Sequence, residues 1–190
     1  PVGKWIIQNA FSMCTECRKY YPEFRVSINL SYVQILKSPL MMELKQIIDH
    51  SGISCSGIIV ELTESGYLEG TPAVRSVWND MKKLRIQIAL DDFGTGYSNL
   101  MNISNLEPDI VKLDRGFTLK ALSRSYEYQL MQYVIEMVHK LNQYVCVEGV
   151  ETKEDLEKIK ALGPDLIQGY YYSKPCSRDE FLKKFFGYSE

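Results

Sequence analysis

The sequence has 190 residues, 45% of them apolar, with 22 Lys+Arg against 24 Asp+Glu, which is the balance of a globular protein with a sizeable core and not of a disordered tail or a fibre. A net charge of −2 without a cluster of Lys or Arg excludes the electrostatic footprint of a protein that tracks a long nucleic acid, and leaves room for a small phosphorylated ligand. No apolar run approaches the roughly 18 residues that span a bilayer and no secretion pattern opens the chain, so direct membrane insertion is not expected and a cytoplasmic protein, or the cytoplasmic part of a larger one, is.

In chain order the pattern alternates between helix and strand. The apolar spacing of Trp5, Ile6, Ala10, Met13 and Cys17 predicts a helix over Lys4–Lys19, followed by a strand over Phe24–Asn29. Helix Tyr32–His50, strand Gly57–Glu61, helix Thr71–Leu84 and strand Arg85–Asp91 come next. Strand Asp109–Asp114, helix Lys120–Leu141, strand Gln143–Glu148, helix Thr152–Leu162, strand Asp165–Gln168 and helix Arg178–Phe186 complete the series. Thr71 before Pro72, and Thr152 three residues before Asp155, supply start signals, and Gly163-Pro164 supplies a stop. No Pro/Gly/Ser-rich linker divides the chain, and a single domain over residues 1–190 is expected. Alternation of this kind predicts an α/β fold with a mainly parallel sheet.

The five cysteines, Cys14, Cys17, Cys55, Cys146 and Cys176, are odd in number and scattered, which argues against a disulfide framework. Cys14 and Cys17 form a C-x-x-C, but no second Cys/His pair completes a zinc site, so a structural role is expected.

The predicted strands finish, in order, at Asn29, Glu61, Asp91 with Asp92, Lys112 with Asp114, Glu148 and Gln168. A strand buried on both faces has no reason of its own to finish in a carboxylate, because an ionised carboxyl without a partner is costly to take out of water. These residues are therefore expected to converge at the carboxyl end of the sheet, where α/β folds hold their ligands. Lys112 and Asp114 are two apart and share a strand face. Carboxylates gathered in such number repel one another unless cations join them, and an all-oxygen set suits Mg2+ or Mn2+. Neither His50 nor His139 belongs to the set. The adjacent pair Asp91-Asp92 could serve two ions, the arrangement used for displacement at phosphorus, and the Gly-rich run from Gly94 to Gly96 reads as a movable loop beside it.

Six ordered stretches carry a resemblance to a known family. Val26-Ser27-Ile28-Asn29-Leu30-Ser31, Glu61-Leu62-Thr63-Glu64, DDFGTGYSNL from Asp91 to Leu100, Lys112-Leu113-Asp114, Glu148-Gly149-Val150-Glu151-Thr152 and Gln168-Gly169-Tyr170 with Ser173-Lys174-Pro175 resemble the motifs of EAL domains. Those are bacterial phosphodiesterases that open cyclic di-GMP to linear pGpG. The resemblance implies a modified (β/α)8 TIM-type barrel holding two Mg2+ or Mn2+ ions. It implies that Asn29, Glu61 and Asp91 bind the first metal and that Asp91 with Asp92 binds the second. Glu148 would be a metal ligand or the general base, Lys112 would steady the attacking water, and Asp114 would complete the inner shell. Glu64 would hold the glycine-rich loop near Ser98, while Glu151 and Gln168 would support the site. A homodimer is expected, since the loop contributes to dimerisation in family members, and so are attached sensory or GGDEF domains in the parent protein.

The Glu-Ala-Leu motif that gives the family its name is absent from this sequence, and with it a metal-binding glutamate and a substrate-binding arginine. About 32 residues per unit over six units leaves a barrel of about 250 residues short by about two N-terminal strands. The resemblance therefore implies an N-terminally incomplete domain of weak activity by itself. A catalytically inactive cyclic di-GMP receptor and a dimerisation or interaction module stand as the alternative readings.

Overall fold

The computed structural model describes residues 2–31, 34, 40–51, 55–63, 72–95, 103 and 106–187. The chain forms two compact units, one from Pro1–Leu62, Glu69–Ile88 and Pro175–Glu190, the other from Thr63–Leu68 and Ala89–Lys174.

In the first unit, helix α1 (Val2–Cys17) leads into strand β1 (Val26–Asn29), which pairs in parallel with β2 (Ile58–Thr63) from Val26 opposite Ile58 to Asn29 opposite Glu61. Parallel neighbours require a crossover, and helix α2 (Leu40–Ser51) lies within it, with Leu44 and Ile47 buried. The predicted helix over 32–50 is seen from Leu40 onward, while 32–33 and 35–39 lie outside the described residues. Helix α3 (Pro72–Lys83) begins on Pro72, whose missing N–H is one that the first turn would leave unpaired anyway. It buries Val74, Trp78 and Met81 at i, i+4 and i+7. Thr71 lies outside the described residues.

α1 forms where expected, but its buried face differs from the one read in the sequence. Ile7, Phe11, Cys14 and Cys17 are buried, whereas Trp5 and Ile6 are exposed. Both residue sets have helical spacing, so propensity does not separate them; packing of α1 on β1 and α2 makes the choice.

The second unit contains Ala89–Phe93 of strand β3 (Gln87–Phe93), then β4 (Ile110–Leu113), β5 (Tyr144–Val147) and β6 (Leu166–Ile167), paired in that order and in parallel. All four residues of β4 are buried, as expected for a strand flanked on both edges and both faces. Where the sequence predicts one helix over 120–141, two are found, α4 (Arg115–Ser123) and α5 (Ser125–Lys140). The break falls at Arg124, whose backbone is extended at φ −139°, ψ 130°. α4 starts five residues earlier than predicted because the Asp114 side chain caps it, a signal masked by Gly116 in the first turn. α5 buries Met131, Ile135 and Val138 at i, i+4 and i+7. Thr152 and Asp155 form the expected capping box of helix α6 (Lys153–Lys160). Helix α7 (Arg178–Phe186), which belongs to the first unit, has a second capping box from Ser177 and Glu180. The fold class is α/β, as the alternation predicts, and no helix among the described residues is long and apolar enough to cross a membrane.

The C-x-x-C pair is part of the core. Cys14 and Cys17 have no solvent exposure, and the Cys14 thiol lies 3.5 Å from the Gly57 carbonyl oxygen. Burial, reinforced by Cys14 and Glu16 nearby, pushes the Cys17 thiol up to about 11, which leaves little thiolate to react or to bind a metal at neutral pH. Brief alkylation of the native protein at about pH 8, near the ordinary thiol pKa, is expected to label exposed Cys176 well before Cys14 and Cys17. Mass spectrometry showing equal labelling rates would contradict this packing.

Candidate active site

The site in the second unit is built around β4. Its register sets Val111 opposite Leu90 of β3 and Val145 of β5, and Lys112 opposite Cys146. Lys112 is 5% exposed, so its ammonium has left water and needs anions. It finds two: Nζ lies 2.9 Å from Asp91 Oδ1 and 2.6 Å from Glu148 Oε1.

Each carboxylate reaches the lysine by a local device. On β3 the step from Leu90 to Phe93 is matched by the shorter step from Val111 to Leu113 on β4, so the strand bulges at Asp91-Asp92. A bulge suspends the strict alternation of side chains and re-aims one of them. Asp92 takes up the extra residue at φ +61°, a conformation that aspartate tolerates better than most side chains. Glu148 follows β5 directly, and its N–H donates to the Leu113 carbonyl at 3.1 Å, which prolongs the ladder by one residue.

Glu61, Asp91 and Lys112 lie within β2, β3 and β4 and are under 10% exposed, instead of terminating the strands at solvent as their sequence positions suggest. The parallel ladders simply run on past them, and Leu30 N–H still donates to the Glu61 carbonyl. In the first unit, Asn29, the last residue of β1, and Glu61, inside β2, are register partners. Asp114 Oδ1 accepts from the backbone N–H of Gly116 at 2.7 Å and of Phe117 at 3.3 Å, so one of its oxygens is engaged at the N-terminus of α4. Glu64 and Ser98 lie outside the described residues.

A cavity of about 410 Å3 adjoins Glu148, lined also by Arg115, Gly149, Glu151, Gln168, Gly169 and Tyr170. Gln168 and Glu151, both read from the sequence, thus share a wall with Glu148. Sequence reasoning missed Arg115 and gave Tyr170, part of the Gln168-Gly169-Tyr170 stretch, no role of its own. Arg115 sits in the part of α4 that the pattern leaves unassigned; it pairs with Glu151 at 2.8 Å, and the hydrogen bond and charge of Glu151 raise its pKa. The Lys174 ammonium lies over the Tyr170 ring, 5.7 Å from its centroid. A larger cavity of about 730 Å3 in the first unit is lined by Lys4, Lys19, Gln46 and Arg178 among others, and by none of the predicted site residues.

Counted as ions, Asp91 and Glu148 exceed the one charge of Lys112, and Asp92 is next in the chain. Carboxylate oxygens with surplus negative charge fit a hard divalent cation in donor type and in electrostatics. Among the described residues no three His, Cys, Asp or Glu converge closely enough to hold a metal ion by themselves.

The EAL domain family profile matches residues 1–175. The cyclic di-GMP phosphodiesterase PdeF of Escherichia coli K12 is 30% identical over 174 residues, covering 92% of this chain and 23% of PdeF. The solved structure of EAL enzyme Bd1971 in its cAMP- and cyclic-di-GMP-bound form matches with a TM-score of 0.91 at 28% identity, over 97% of this chain and 51% of that one. The EAL domain of Mycobacterium smegmatis DcpA matches with a TM-score of 0.89 at 25% identity, over 98% and 85% of the two chains. The chain spans about a quarter of the length of the curated relatives it matches. Its fold class is that of these structures.

Removing Lys112 would leave the buried Asp91 carboxylate and the half-buried Glu148 carboxylate without the cation they share. Lys112→Met is therefore expected to destabilise the protein by about 3 kcal/mol, the scale for breaking a buried pair from one side, read as a lower midpoint in urea. A midpoint equal to that of the wild type would contradict the electrostatic account of the cluster.

Proposed function

The chain belongs to the EAL domain family, and from that premise we propose that it is a metal-dependent phosphodiesterase that opens cyclic di-GMP to linear pGpG with two Mg2+ or Mn2+ ions. The observation that carries this reading is the buried Lys112 ammonium shared between Asp91 and Glu148. The names of the relatives support the substrate: PdeF and PdeR are cyclic di-GMP phosphodiesterases.

Asp91 and Asp92 would hold the cations in their unit, and the donor roles given to Asn29 and Glu61 fall on register partners in the other. When bound, divalent cations supply polarisation of the phosphoryl oxygens and a more acidic water. The rest is done by the chain itself. Glu148, placed beside the cavity with one oxygen on Lys112, takes the proton of the attacking water as general base. Lys112 donates within this cluster, holding Asp91 and Glu148 a fixed distance apart and orienting the water between charged groups. Asp114 contributes by fixing the start of α4, and with it the wall that Arg115 adds to the cavity. Gln168 and Glu151 line the same wall and support Glu148.

A receptor would need affinity alone, and a base held against a buried lysine adds nothing to affinity. The protein in its full natural length, supplied with cyclic di-GMP and Mg2+ or Mn2+, is expected to release pGpG, and Glu148→Gln is expected to lower the rate at least about 100-fold, the lower range for loss of a general base. Tight cyclic di-GMP binding by the wild type without any pGpG would contradict the enzyme reading in favour of a receptor.

A further inference from the structure

We propose that Arg115 is a positioning residue: by clamping Glu151 across Gly149 it holds the segment that aims Glu148, an inference that rests on the reading of Glu148 as the base. Between Glu148 and Glu151 the chain turns through Gly149 at φ +80°, a left-handed conformation natural to glycine. The Arg115 side chain is packed against this turn. A Cβ at Gly149 would run into Arg115 Cγ and come within 2.9 Å of its Cβ.

The segment is fastened at three places. Glu148 N–H donates to the Leu113 carbonyl at 3.1 Å. Val150 N–H donates to the Gln168 carbonyl at 3.2 Å, the Val150 carbonyl accepts from Tyr171 N–H at 3.0 Å, and Gly169 packs so closely on Val150 that any Cβ would overlap its carbonyl oxygen. The third fastening is Arg115, whose Nη2 and Nε lie 2.8 and 3.3 Å from Glu151 Oε1. Arg115 is itself anchored, because it is the first residue of α4 and Asp114 caps that helix.

The pair is exposed, 56% for Arg115 and 38% for Glu151, so it contributes little to folding. Its effect lies in geometry. A catalytic group displaced by about 1 Å can lose about a hundredfold in rate, and from the clamped Glu151 the chain runs through Val150 and the Gly149 turn directly to Glu148.

Arg115→Ala, Arg115→Lys and the charge reversal Arg115→Glu with Glu151→Arg test this in the full natural protein. Arg115→Ala is expected to lower kcat about tenfold or more, with KM and the thermal midpoint unchanged; Arg115→Lys recovers part of the loss and the reversal more. A raised KM with unchanged kcat would show that Arg115 binds substrate, and an unchanged kcat would show that it does nothing; either overturns the proposal. Amide hydrogen exchange provides an arm independent of turnover. Exchange at Glu148 and Val150 is expected to quicken in Arg115→Ala while α4 and α5 stay protected, and unchanged exchange there overturns the clamp. Absence of pGpG from the wild type would count against the phosphodiesterase reading and leave the exchange result to decide this one.

Discussion

A lysine taken out of water on an inner strand of its unit is the constraint on which the site depends. Lys112 could not be 5% exposed without anions, and Asp91 and Glu148 come to it from β3 on one side and from the end of β5 on the other. Burying an ion pair stabilises little in itself, since desolvation offsets the attraction. What the arrangement secures is placement: two carboxylates from residues 57 positions apart in the sequence are held against one nitrogen.

Around this centre the backbone departs from regular geometry where the chemistry is held. The bulge at Asp91-Asp92, with Asp92 at φ +61°, the left-handed turn at Gly149 and the close packing of Gly169 on Val150 all lie at or beside the carboxyl ends of β3, β5 and β6. Gly94, at φ +105°, belongs with them, because a Cβ there would come within 2.9 Å of the Phe117 ring. Positions of this kind cost about 1 to 3 kcal/mol each when filled by residues other than glycine, and they persist because the strands on either side over-determine them.

The alternation of elements and the run of charged residues at the ends of apolar stretches made the α/β class and the identities of Lys112, Asp91 and Glu148 legible in the sequence. The depth of burial was not legible: an acid after an apolar run looks terminal whether the ladder stops there or, as at Glu61 and Asp91, continues past it. The face of α1 was equally hidden, because Trp5/Ile6/Ala10/Met13 and Ile7/Phe11/Cys14 both fit a 3.6-residue period and only β1 and α2 select between them. The early start of α4 was masked by Gly116, and with it the place of Arg115, whose partner Glu151 is 36 residues away. Pairings of that span leave no mark in local spacing.

In the proposed phosphodiesterase, Asp91 and Asp92 beside Lys112 would take divalent cations. Titration of the full natural protein with Mn2+, followed by electron paramagnetic resonance, measures this most directly. Saturable Mn2+ binding that Mg2+ displaces, and that Asp91→Asn with Asp92→Asn abolishes, is the result the account predicts. Binding that is absent in the wild type, or unaffected by losing both aspartates, would contradict it.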